Sequence, residues 1–274
     1  MLRKIISLLF SGFDLLRIKL MVSQRKPVSF INKNRKYFLN PDKSTAYHII
    51  NSTEKIERMV RLINSDAKTI FDVGANCGIF SAFAARKLPS ASIYAFEPST
   101  NLIPFIKMNC SDLNVSIHNI AISARAGIKK LFINLDSQQT NSFNYNSVSI
   151  FTSNNRIQEQ KIDCISLDEF TKNNNISEID VLKVDVQGFE GEVFRGAKFS
   201  LPKVQQLFIE STWMDIESIS EILPLGIKYG FKYAAVVNPV HMGADILFSR
   251  HGIDSSFVSL SFNLEKDLLK LRWS

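Results

Sequence analysis

The chain has 274 residues, of which 45% are hydrophobic and 22% are charged. This composition excludes a disordered or fibrous protein, and the length suffices for one large α/β domain or two small ones. The sequence has no run of about 18 apolar residues, the length that a membrane-spanning helix needs. Its three cysteines (Cys77, Cys110 and Cys164) are too widely spaced for a zinc motif or a disulfide framework. We therefore expect a cytoplasmic protein without a metal site.

The positive charge of the chain is concentrated at its beginning. Residues 1–43 contain ten Lys or Arg and two Asp, a net charge of +8, so the remaining residues carry −1 of the total of +7. Apolar side chains between Ile5 and Leu20 surround a narrow polar stripe, which predicts an amphipathic helix. Such a helix either docks on the body of the protein or makes peripheral contact with an anionic membrane. We expect residues 1–48 to form a basic amphipathic arm, residues 49–250 to form one domain and residues 251–274 to form a tail packed as a helix.

Short apolar runs alternate with helical patterns from residue 69 onward. Strands are predicted at 69–73, 92–96 and 115–122, with helices at 79–88 and 102–109 between them. The stretch 134–155 is rich in Asn, Ser and Gln and predicts a long loop near the site. The elements predicted after it are a helix at 167–171, a strand at 180–184, a helix after Gly188, a strand at 206–209 and a hairpin of strands at 233–237 and 245–248. The order indicates an α/β fold with a doubly wound, mostly parallel seven-stranded sheet and an antiparallel terminal hairpin.

A glycine-containing loop follows the first of these strands. Gly74 and Gly78 allow a sharp turn and a close approach of a ligand, and Asp72 comes two residues before the first glycine. A dinucleotide-binding loop reads G-x-G-x-x-G and faces a pyrophosphate, whereas this loop reads G-x-x-x-G beside a carboxylate. It therefore favours a ligand with a cationic end and argues against a nicotinamide-dependent oxidoreductase. Glu97 ends the second strand, where a carboxylate can accept hydrogen bonds from both hydroxyls of a ribose.

More carboxylates are predicted at the same edge of the sheet. Asp185 directly follows the apolar strand 180–184, and Glu210 directly follows the predicted strand 206–209. Open α/β sheets bind ligands at the carboxyl ends of their strands, so both are candidate site residues. Lys183 shares a strand face with Asp185, which predicts either a local ion pair or an exposed ammonium tip. Glu190 begins the following helix, where the helix dipole favours a negative charge.

Taken in chain order, these stretches resemble the FkbM family of S-adenosylmethionine-dependent methyltransferases. The motifs that carry the resemblance, between residues 69 and 250, are Phe71-Asp72-Val73-Gly74-Ala75-Asn76-Cys77-Gly78, Ala95-Phe96-Glu97-Pro98, Asn119-Ile120-Ala121-Ile122-Ser123, Ile165-Ser166-Leu167-Asp168, Leu182-Lys183-Val184-Asp185-Val186-Gln187-Gly188-Phe189-Glu190, Phe194-Arg195-Gly196-Ala197 and Asp245-Ile246-Leu247-Phe248. The family more often has Glu at the position of Gln187. The resemblance implies a Rossmann-like class I methyltransferase domain at 49–250 and S-adenosylmethionine as the cofactor.

The resemblance also implies which residues surround each part of the cofactor. The implied contacts are Asp185 at the sulfonium, Asp72, Gly74, Asn76 and Gly78 around the methionine and ribose parts, Glu97 at the ribose hydroxyls, and Asn119 and Ala121 at the adenine. This assignment agrees with the chemistry of the cofactor, because its positive sulfur and free ammonium group favour neighbouring carboxylates.

A hydroxyl acceptor additionally requires a base that takes its proton. We rank Asp185 first and Glu210 second, because both are predicted at the cofactor edge of the sheet. A role for Asp185 as a ligand of the cofactor's amino acid part, without proton transfer, explains its position equally well. His118 and His241 rank lower, since one lies in a predicted strand and the other in a predicted hairpin turn.

The leading functional hypothesis is an O-methyltransferase for a small or glycosylated metabolite, with residues 134–155 forming part of the acceptor pocket. A nucleic-acid methyltransferase that binds phosphates with the basic arm is less favoured, because the arm contains few aromatic residues besides Phe30, Tyr37 and Phe38. A third alternative is a module that binds the cofactor or a membrane without catalysis.

Overall fold

The structure is a computed structural model, which describes residues 20–21, 24, 26–42, 53–150, 152–212, 224, 226–240, 243–254, 256 and 260–263. Its strands are β1 (Val28–Asn32), β2 (Arg35–Leu39), β3 (Thr69–Val73), β4 (Ser92–Phe96), β5 (Val115–His118), β6 (Ala121–Ile122), β7 (Gly127–Asn134), β8 (Ile157–Ile165), β9 (Ile179–Val184), β10 (Val204–Thr212), β11 (Tyr233–Val240), β12 (Gly243–Ser249) and β13 (Leu260–Asn263). Its helices are α1 (Thr53–Leu62), α2 (Ile79–Lys87), α3 (Ile103–Asn109), α4 (Tyr145–Ser149), α5 (Leu167–Asn173) and α6 (Glu190–Arg195). In this part of the chain no helix is long and apolar enough to span a lipid bilayer.

Eight of the described strands form one large sheet in the order β5-β4-β3-β9-β10-β12-β11-β13. The five strands from β5 to β10 are parallel, whereas β12 is antiparallel to both β10 and β11, and β13 is antiparallel to β11. The predicted doubly wound, mostly parallel sheet of seven strands with a terminal antiparallel hairpin is therefore confirmed. Leu260–Asn263 adds an eighth strand at the edge of the sheet. The prediction of a packed tail helix is wrong for these four residues, because they pair with β11.

The central strands are buried on both faces. On β3, Ile70 packs in one buried cluster with residues of α1 and α2, whereas the next residue, Phe71, packs in a second cluster with Phe170 of α5 and Phe194 of α6. Strands that are covered on both sides read as continuous apolar runs, which is why the sequence predicts them well. Polar residues follow at the carboxyl ends of these strands, where the candidate site lies.

The hairpin of β1 and β2 belongs to the folded body, although it lies in the segment predicted as an arm. Tyr37 is buried, and its ring contacts the ring of Phe83 on α2 with 5.1 Å between centroids. The Asn109 side chain accepts a hydrogen bond from the Phe38 N–H (2.7 Å) and donates one to the Phe38 carbonyl (2.8 Å). The predicted arm is therefore corrected at this hairpin, which packs on α2 and α3. The predicted N-terminal helix falls mainly on residues 1–19, outside the described residues.

A second, smaller sheet has three strands in the order β6-β8-β7. The single strand predicted at 115–122 is divided into β5 and β6 at Asn119, whose side chain donates to the carbonyls of Glu97 and Pro98, both at 2.9 Å. The predicted loop 134–155 begins with the last residue of β7 and contains α4 and two short 3₁₀ turns. The sequence pattern missed β8 because most of its side chains are polar and partly or fully exposed.

Candidate active site

The loop after β3 is held against the ends of two neighbouring strands. The N–H groups of Gly74 and Ala75 both donate to the carbonyl of Phe96 at the end of β4, each at 3.0 Å. Gly74 has a φ of +82°, and a Cβ at this position would overlap the carbonyl oxygen of Asp185 after β9. Glycine is the residue that combines this backbone angle with so close an approach. The loop is therefore fixed at the carboxyl edge of the sheet.

A cavity of about 880 Å³ lies at this edge. Six of the predicted site residues line it: Gly74, Asn76, Glu97, Ala121, Asp185 and Glu210. The other three, Asp72, Gly78 and Asn119, lie beside lining residues without lining the cavity themselves. Small-molecule sites usually measure about 300–1,000 Å³, so this volume is near the upper end of the range and leaves room for two small molecules.

Glu97 presents a buried carboxylate to the cavity. Its Oε2 accepts a hydrogen bond from the Asn76 N–H, and its Oε1 accepts one from the Ser99 N–H, both at 2.8 Å. These bonds fix the orientation of the carboxylate and leave each oxygen with a further lone pair. Burial raises the pKa of Glu97 to about 7, although the two N–H groups and Lys183 oppose the rise. A ligand with two adjacent hydroxyls would complete the hydrogen bonding of the ionised carboxylate.

Asp72 lies behind the cavity wall and supports it. It is fully buried, forms an ion pair with Lys183 (3.0 Å) and accepts a hydrogen bond from Ser81 Oγ (2.7 Å). Asp72 and Lys183 are register partners on the adjacent parallel strands β3 and β9. Lys183 Nζ also donates to the carbonyl of Gly74 (3.1 Å), so the buried pair stabilises the loop from behind.

Gly78 and Asn119 support the cavity wall through contacts with neighbouring elements. Gly78 has a φ of +75°, and a Cβ there would lie 2.9 Å from Ile106 Cγ2, so glycine lets α2 begin against α3. The Asn119 side chain donates to the carbonyl of Glu97 at 2.9 Å and thereby fixes the backbone that carries this carboxylate.

A second group of charged side chains lines the cavity at the ends of β9, β10 and β12. Gln187 Nε2 donates to Asp185 Oδ1 (2.8 Å) and to Glu210 Oε2 (2.7 Å), so one amide group joins two carboxyls. Lys55 of α1 approaches Glu210 Oε1 (2.6 Å) and Asp245 Oδ1 (3.0 Å). We refer to these five residues, Lys55, Asp185, Gln187, Glu210 and Asp245, as the carboxyl cluster. Among the described residues no group of three or more His, Cys, Asp or Glu is arranged to hold a metal ion.

The surrounding charges separate the pKa values of Asp185 and Glu210. Burial by itself raises the pKa of Asp185, but Lys183 at 3.5 Å, a hydrogen bond with Glu210 and the charge of Lys55 outweigh it and bring this pKa below its usual range. Burial and the negative charge of Asp185 raise the pKa of Glu210, while Lys55 lowers it. An ionised Asp185 therefore stands beside a Glu210 that exchanges its proton closer to neutral pH. Carboxyl pairs with separated pKa values are typical of acid–base sites.

The polar stretch 134–155 also contributes to the cavity wall, through Gln138, Thr140, Asn141 and Phe143. Ser142 Oγ donates to the carbonyl of Gln187 (3.1 Å), and the ring of Phe143 lies 4.5 Å from the ring of Phe189. These contacts attach the stretch to the loop that carries part of the carboxyl cluster.

Two of the remaining candidate residues, His118 and Glu190, do not line the cavity. His118 stacks on Phe96 with 5.1 Å between ring centroids, and burial lowers its pKa. His241 lies outside the described residues. Glu190 Oε1 accepts hydrogen bonds from the N–H groups of Val186 (3.2 Å) and Gly188 (3.3 Å), so this residue stabilises the turn before α6.

Sequence reasoning did not assign three members of the carboxyl cluster to the site: Lys55, Gln187 and Asp245. Gln187 stands out in the sequence only as a departure from the Glu that the family more often has. Asp245 lies in a motif of the family resemblance, but its sequence neighbours suggest no role beyond that of a strand residue. Lys55 has no local signal at all, because α1 carries five charged side chains of similar spacing: Glu54, Lys55, Glu57, Arg58 and Arg61. Its ion pairs with Glu210 of β10 and Asp245 of β12 distinguish Lys55 from the other four.

The cavity suits S-adenosylmethionine in size and charge. Glu97 can accept hydrogen bonds from ribose hydroxyls, and Asp185 offers an ionised carboxylate to the positive sulfonium and ammonium groups. The charged residues that line the cavity are three basic ones (Lys55, Arg58 and Lys183) and five acidic ones (Glu54, Glu97, Asp185, Glu210 and Asp245). This excess of acidic groups, which is largest when Glu97 and Glu210 are ionised, favours a cationic ligand and disfavours phosphate groups.

Comparison with known proteins identifies the family. The Methyltransferase FkbM domain matches residues 72–233. The chain is 23% identical over 202 residues to the 31-O-demethyl-FK506 methyltransferase FkbM of Streptomyces tacrolimicus, covering 65% of this chain and 77% of that protein. It is 26% identical over 185 residues to the 2-O-methyltransferase NoeI of Sinorhizobium fredii, covering 64% and 75%. Among solved structures, it is similar to the O-methyltransferase TomG from Streptomyces achromogenes in complex with SAM, with 10% identity, coverage of 74% and 81%, and a TM-score of 0.44. The chain belongs to the FkbM methyltransferase family and is an S-adenosylmethionine-dependent methyltransferase.

Proposed function

We propose that this methyltransferase acts on a hydroxyl oxygen of a small or glycosylated metabolite, and that Glu210 accepts the proton of that hydroxyl. The observation that carries the proposal is the pair of carboxyls, Asp185 and Glu210, joined by Gln187 in the cavity wall. A hydroxyl is a weak nucleophile unless a base removes its proton during the reaction. The names of two relatives, 31-O-demethyl-FK506 methyltransferase and 2-O-methyltransferase, are consistent with an oxygen acceptor.

The two carboxyls are proposed to have different roles. Glu210 is the better base, because its pKa is raised towards the operating pH, whereas the low pKa of Asp185 makes its carboxylate a weak proton acceptor. Asp185 stays ionised and stabilises positive charge in the cavity. This division favours the interpretation of Asp185 as a ligand of the cofactor.

The proposed transfer is an in-line displacement. The cofactor supplies a methyl group on a positively charged sulfur, which is a good leaving group. As the acceptor oxygen took the methyl group, the sulfur would keep the electron pair of the broken carbon–sulfur bond, and the Glu210 carboxylate would accept the hydroxyl proton. Glu210 then releases this proton to water. Glu97 contributes by holding the ribose, because a fixed nucleoside places the methyl group in line with the acceptor.

The acceptor side of the cavity supports an uncharged, hydroxyl-rich molecule. Gln138, Thr140 and Asn141 supply neutral polar groups that can donate or accept hydrogen bonds. Lys55 and Lys183, the lysines of the cavity wall, are both ion-paired with carboxylates, so they do not favour a carboxylate or phosphate acceptor.

The test is to incubate the purified protein with S-adenosylmethionine labelled in its methyl group and a metabolite extract of the host cell. Nuclear magnetic resonance then distinguishes a labelled methoxyl group from an N-methyl or C-methyl group. We expect a labelled methoxyl compound. Label found only on nitrogen or carbon would contradict the proposal, and label incorporated into added RNA or DNA would favour the nucleic-acid alternative.

A further inference from the structure

Lys55 lies outside the segment that the family domain matches, yet it lines the cavity. We propose that Lys55 is a positioning residue whose ammonium group holds the Glu210 carboxyl at the cavity and keeps it available as a proton acceptor. The inference rests on the proposed function, since it concerns the proton that a hydroxyl acceptor loses. It assigns a part of the active site to α1, an element that precedes the family domain.

The geometry places Lys55 between two carboxyls of different strands. Glu210 and Asp245 are register partners on the antiparallel strands β10 and β12, and Lys55 Nζ lies 2.6 Å from the first and 3.0 Å from the second. The side chains of Lys55 and Glu210 are each 21% exposed, and that of Asp245 is 1% exposed. Ion pairs that are shielded from solvent to this extent are screened less by salt than pairs on the surface.

The ammonium group of Lys55 stays charged in this position. Burial disfavours the charge, but the attraction of Asp245 and Glu210 outweighs burial and raises the pKa of Lys55. The other charged residues of α1 that line the cavity are Glu54 and Arg58, which pair with each other at 3.1 Å. Lys55 is therefore the cation that α1 contributes to the carboxyl cluster.

Glu210 meets charges from every element packed around it. Asp185 from the end of β9 and Asp245 from β12 favour its protonated form, whereas Lys55 from α1 favours the ionised form. Lys183 of β9 adds a positive charge, whereas Gln187 donates a hydrogen bond to Glu210 without adding a charge. If Lys55 were neutral, Glu210 would face two carboxylates without this cation, so its pKa, already raised to about 8, would rise further. A smaller fraction of Glu210 would then be ionised and able to accept a proton at neutral pH.

An infrared titration tests this inference without an acceptor molecule. The C=O stretch of protonated Glu210 is the carboxyl band that disappears in Glu210→Gln. In Lys55→Met we expect the titration midpoint of this band to rise by about one to three pH units, the usual effect of a nearby opposite charge. Lys55→Arg should return the midpoint close to that of the wild type. Arg61→Met is the matched control, because Arg61 lies on the same helix, pairs with Glu57 at 3.8 Å and does not line the cavity.

The outcome is decided by the charge of residue 55. Lys55→Gln keeps a hydrogen-bond donor without a charge, and we expect the same rise of the titration midpoint as in Lys55→Met. The test can therefore still be made if Lys55→Met does not fold. A wild-type midpoint in both variants would overturn the inference, as would an equal rise in Arg61→Met.

The labelled-methyl assay separates this result from the proposed function. If the wild type forms a methoxyl product, the pH of half-maximal product formation should rise in Lys55→Gln together with the infrared midpoint. An unchanged pH profile would overturn the role of Lys55 in the reaction. If the wild type forms no methoxyl product at any pH, the proposed function fails, while the infrared midpoint still decides whether Lys55 controls the protonation of Glu210.

Discussion

Two regions of the cavity are built in different ways. The loop region (Gly74, Asn76 and Glu97) is held mainly by backbone hydrogen bonds, and both oxygens of Glu97 accept an N–H. The carboxyl cluster is held by side chains: Lys55 forms two ion pairs, and the amide group of Gln187 joins two carboxyls. Hydrogen bonds between backbone groups do not depend on pH near neutrality, whereas those of a side-chain network depend on its protonation, as do those of the Glu97 carboxylate in the loop region. The first arrangement suits the binding of a nucleoside, and the second suits the movement of a proton.

The largest effect is expected from breaking the loop region at Gly74. The Cβ of Gly74→Ala would overlap the Asp185 carbonyl oxygen, so the loop has to move away from β9. We expect S-adenosylhomocysteine binding to fall below detection and the free energy of unfolding to fall by about 3 kcal/mol or more. Calorimetry and urea unfolding measure both quantities. The control is Gly252→Ala, where a Cβ meets nothing within 4 Å; equal behaviour of the two variants would contradict the described geometry.

A smaller but specific effect is expected at Glu97. Removing its carboxylate in Glu97→Ala takes two charge-assisted hydrogen bonds from the ribose, so we expect affinity for S-adenosylhomocysteine to fall about a hundredfold. Titration calorimetry measures this change. Glu159→Ala removes an exposed glutamate that pairs with Lys130 at 2.8 Å and should leave the affinity unchanged. An unchanged affinity in Glu97→Ala would mean that the ribose binds elsewhere.

The carboxyl cluster is expected to distinguish the two forms of the cofactor by charge. S-adenosylmethionine has a positive sulfur that S-adenosylhomocysteine lacks, so it should lower the pKa of Glu210 and bind more tightly as Glu210 ionises. We expect the ratio of the two affinities to change roughly tenfold in favour of S-adenosylmethionine as pH rises from neutral to mildly alkaline values. The effect of Glu97 cancels in this ratio, because both ligands have the same ribose. A ratio that is independent of pH would indicate that the sulfur does not approach the carboxyl cluster.

The smallest expected effect concerns stability. Because the pKa of Glu97 is raised from 4.5 to about 7, the folded protein holds this proton more tightly than the unfolded chain. The free energy of unfolding should therefore fall as pH rises through this window. In Glu97→Gln the fall should be smaller but not abolished, since Glu190 and Glu210, whose pKa values are raised to about 7 and about 8, still contribute in the same way. Urea unfolding at several pH values checks the slope, and an equally steep fall in the variant would contradict it.

The same two regions explain how far the sequence alone predicts the site. Gly74, Asn76 and Glu97 lie within two short motifs on consecutive parallel strands, so their meeting follows from the predicted fold. Asp185 and Glu210 converge for the same reason, because β9 and β10 are adjacent and parallel. Lys55 could not be predicted, since it is 155 residues away from Glu210 in sequence and lies on an amphipathic helix that carries four other charged side chains.

The direction in which a side chain points is a second property that the sequence alone does not reveal. Asp72 stands beside the glycine loop and was expected to face the cofactor, but its register partner on β9 is Lys183, and the two form a buried pair. Two strands of the small sheet, β7 and β8, were missed because they carry exposed Lys, Gln and Glu, a pattern that resembles a solvated loop. Both differences arise from contacts between distant strands, which periodicity along one strand does not reveal.

The most direct measurement of the central claim compares the wild type with Glu210→Gln in the labelled-methyl assay on the metabolite extract. Glutamine has nearly the same shape as glutamate but cannot accept the proton of a hydroxyl. We predict that Glu210→Gln binds S-adenosylhomocysteine about as well as the wild type and forms methoxyl product at least about a hundred times more slowly, the usual contribution of a general base. Product formation at the wild-type rate would contradict the account.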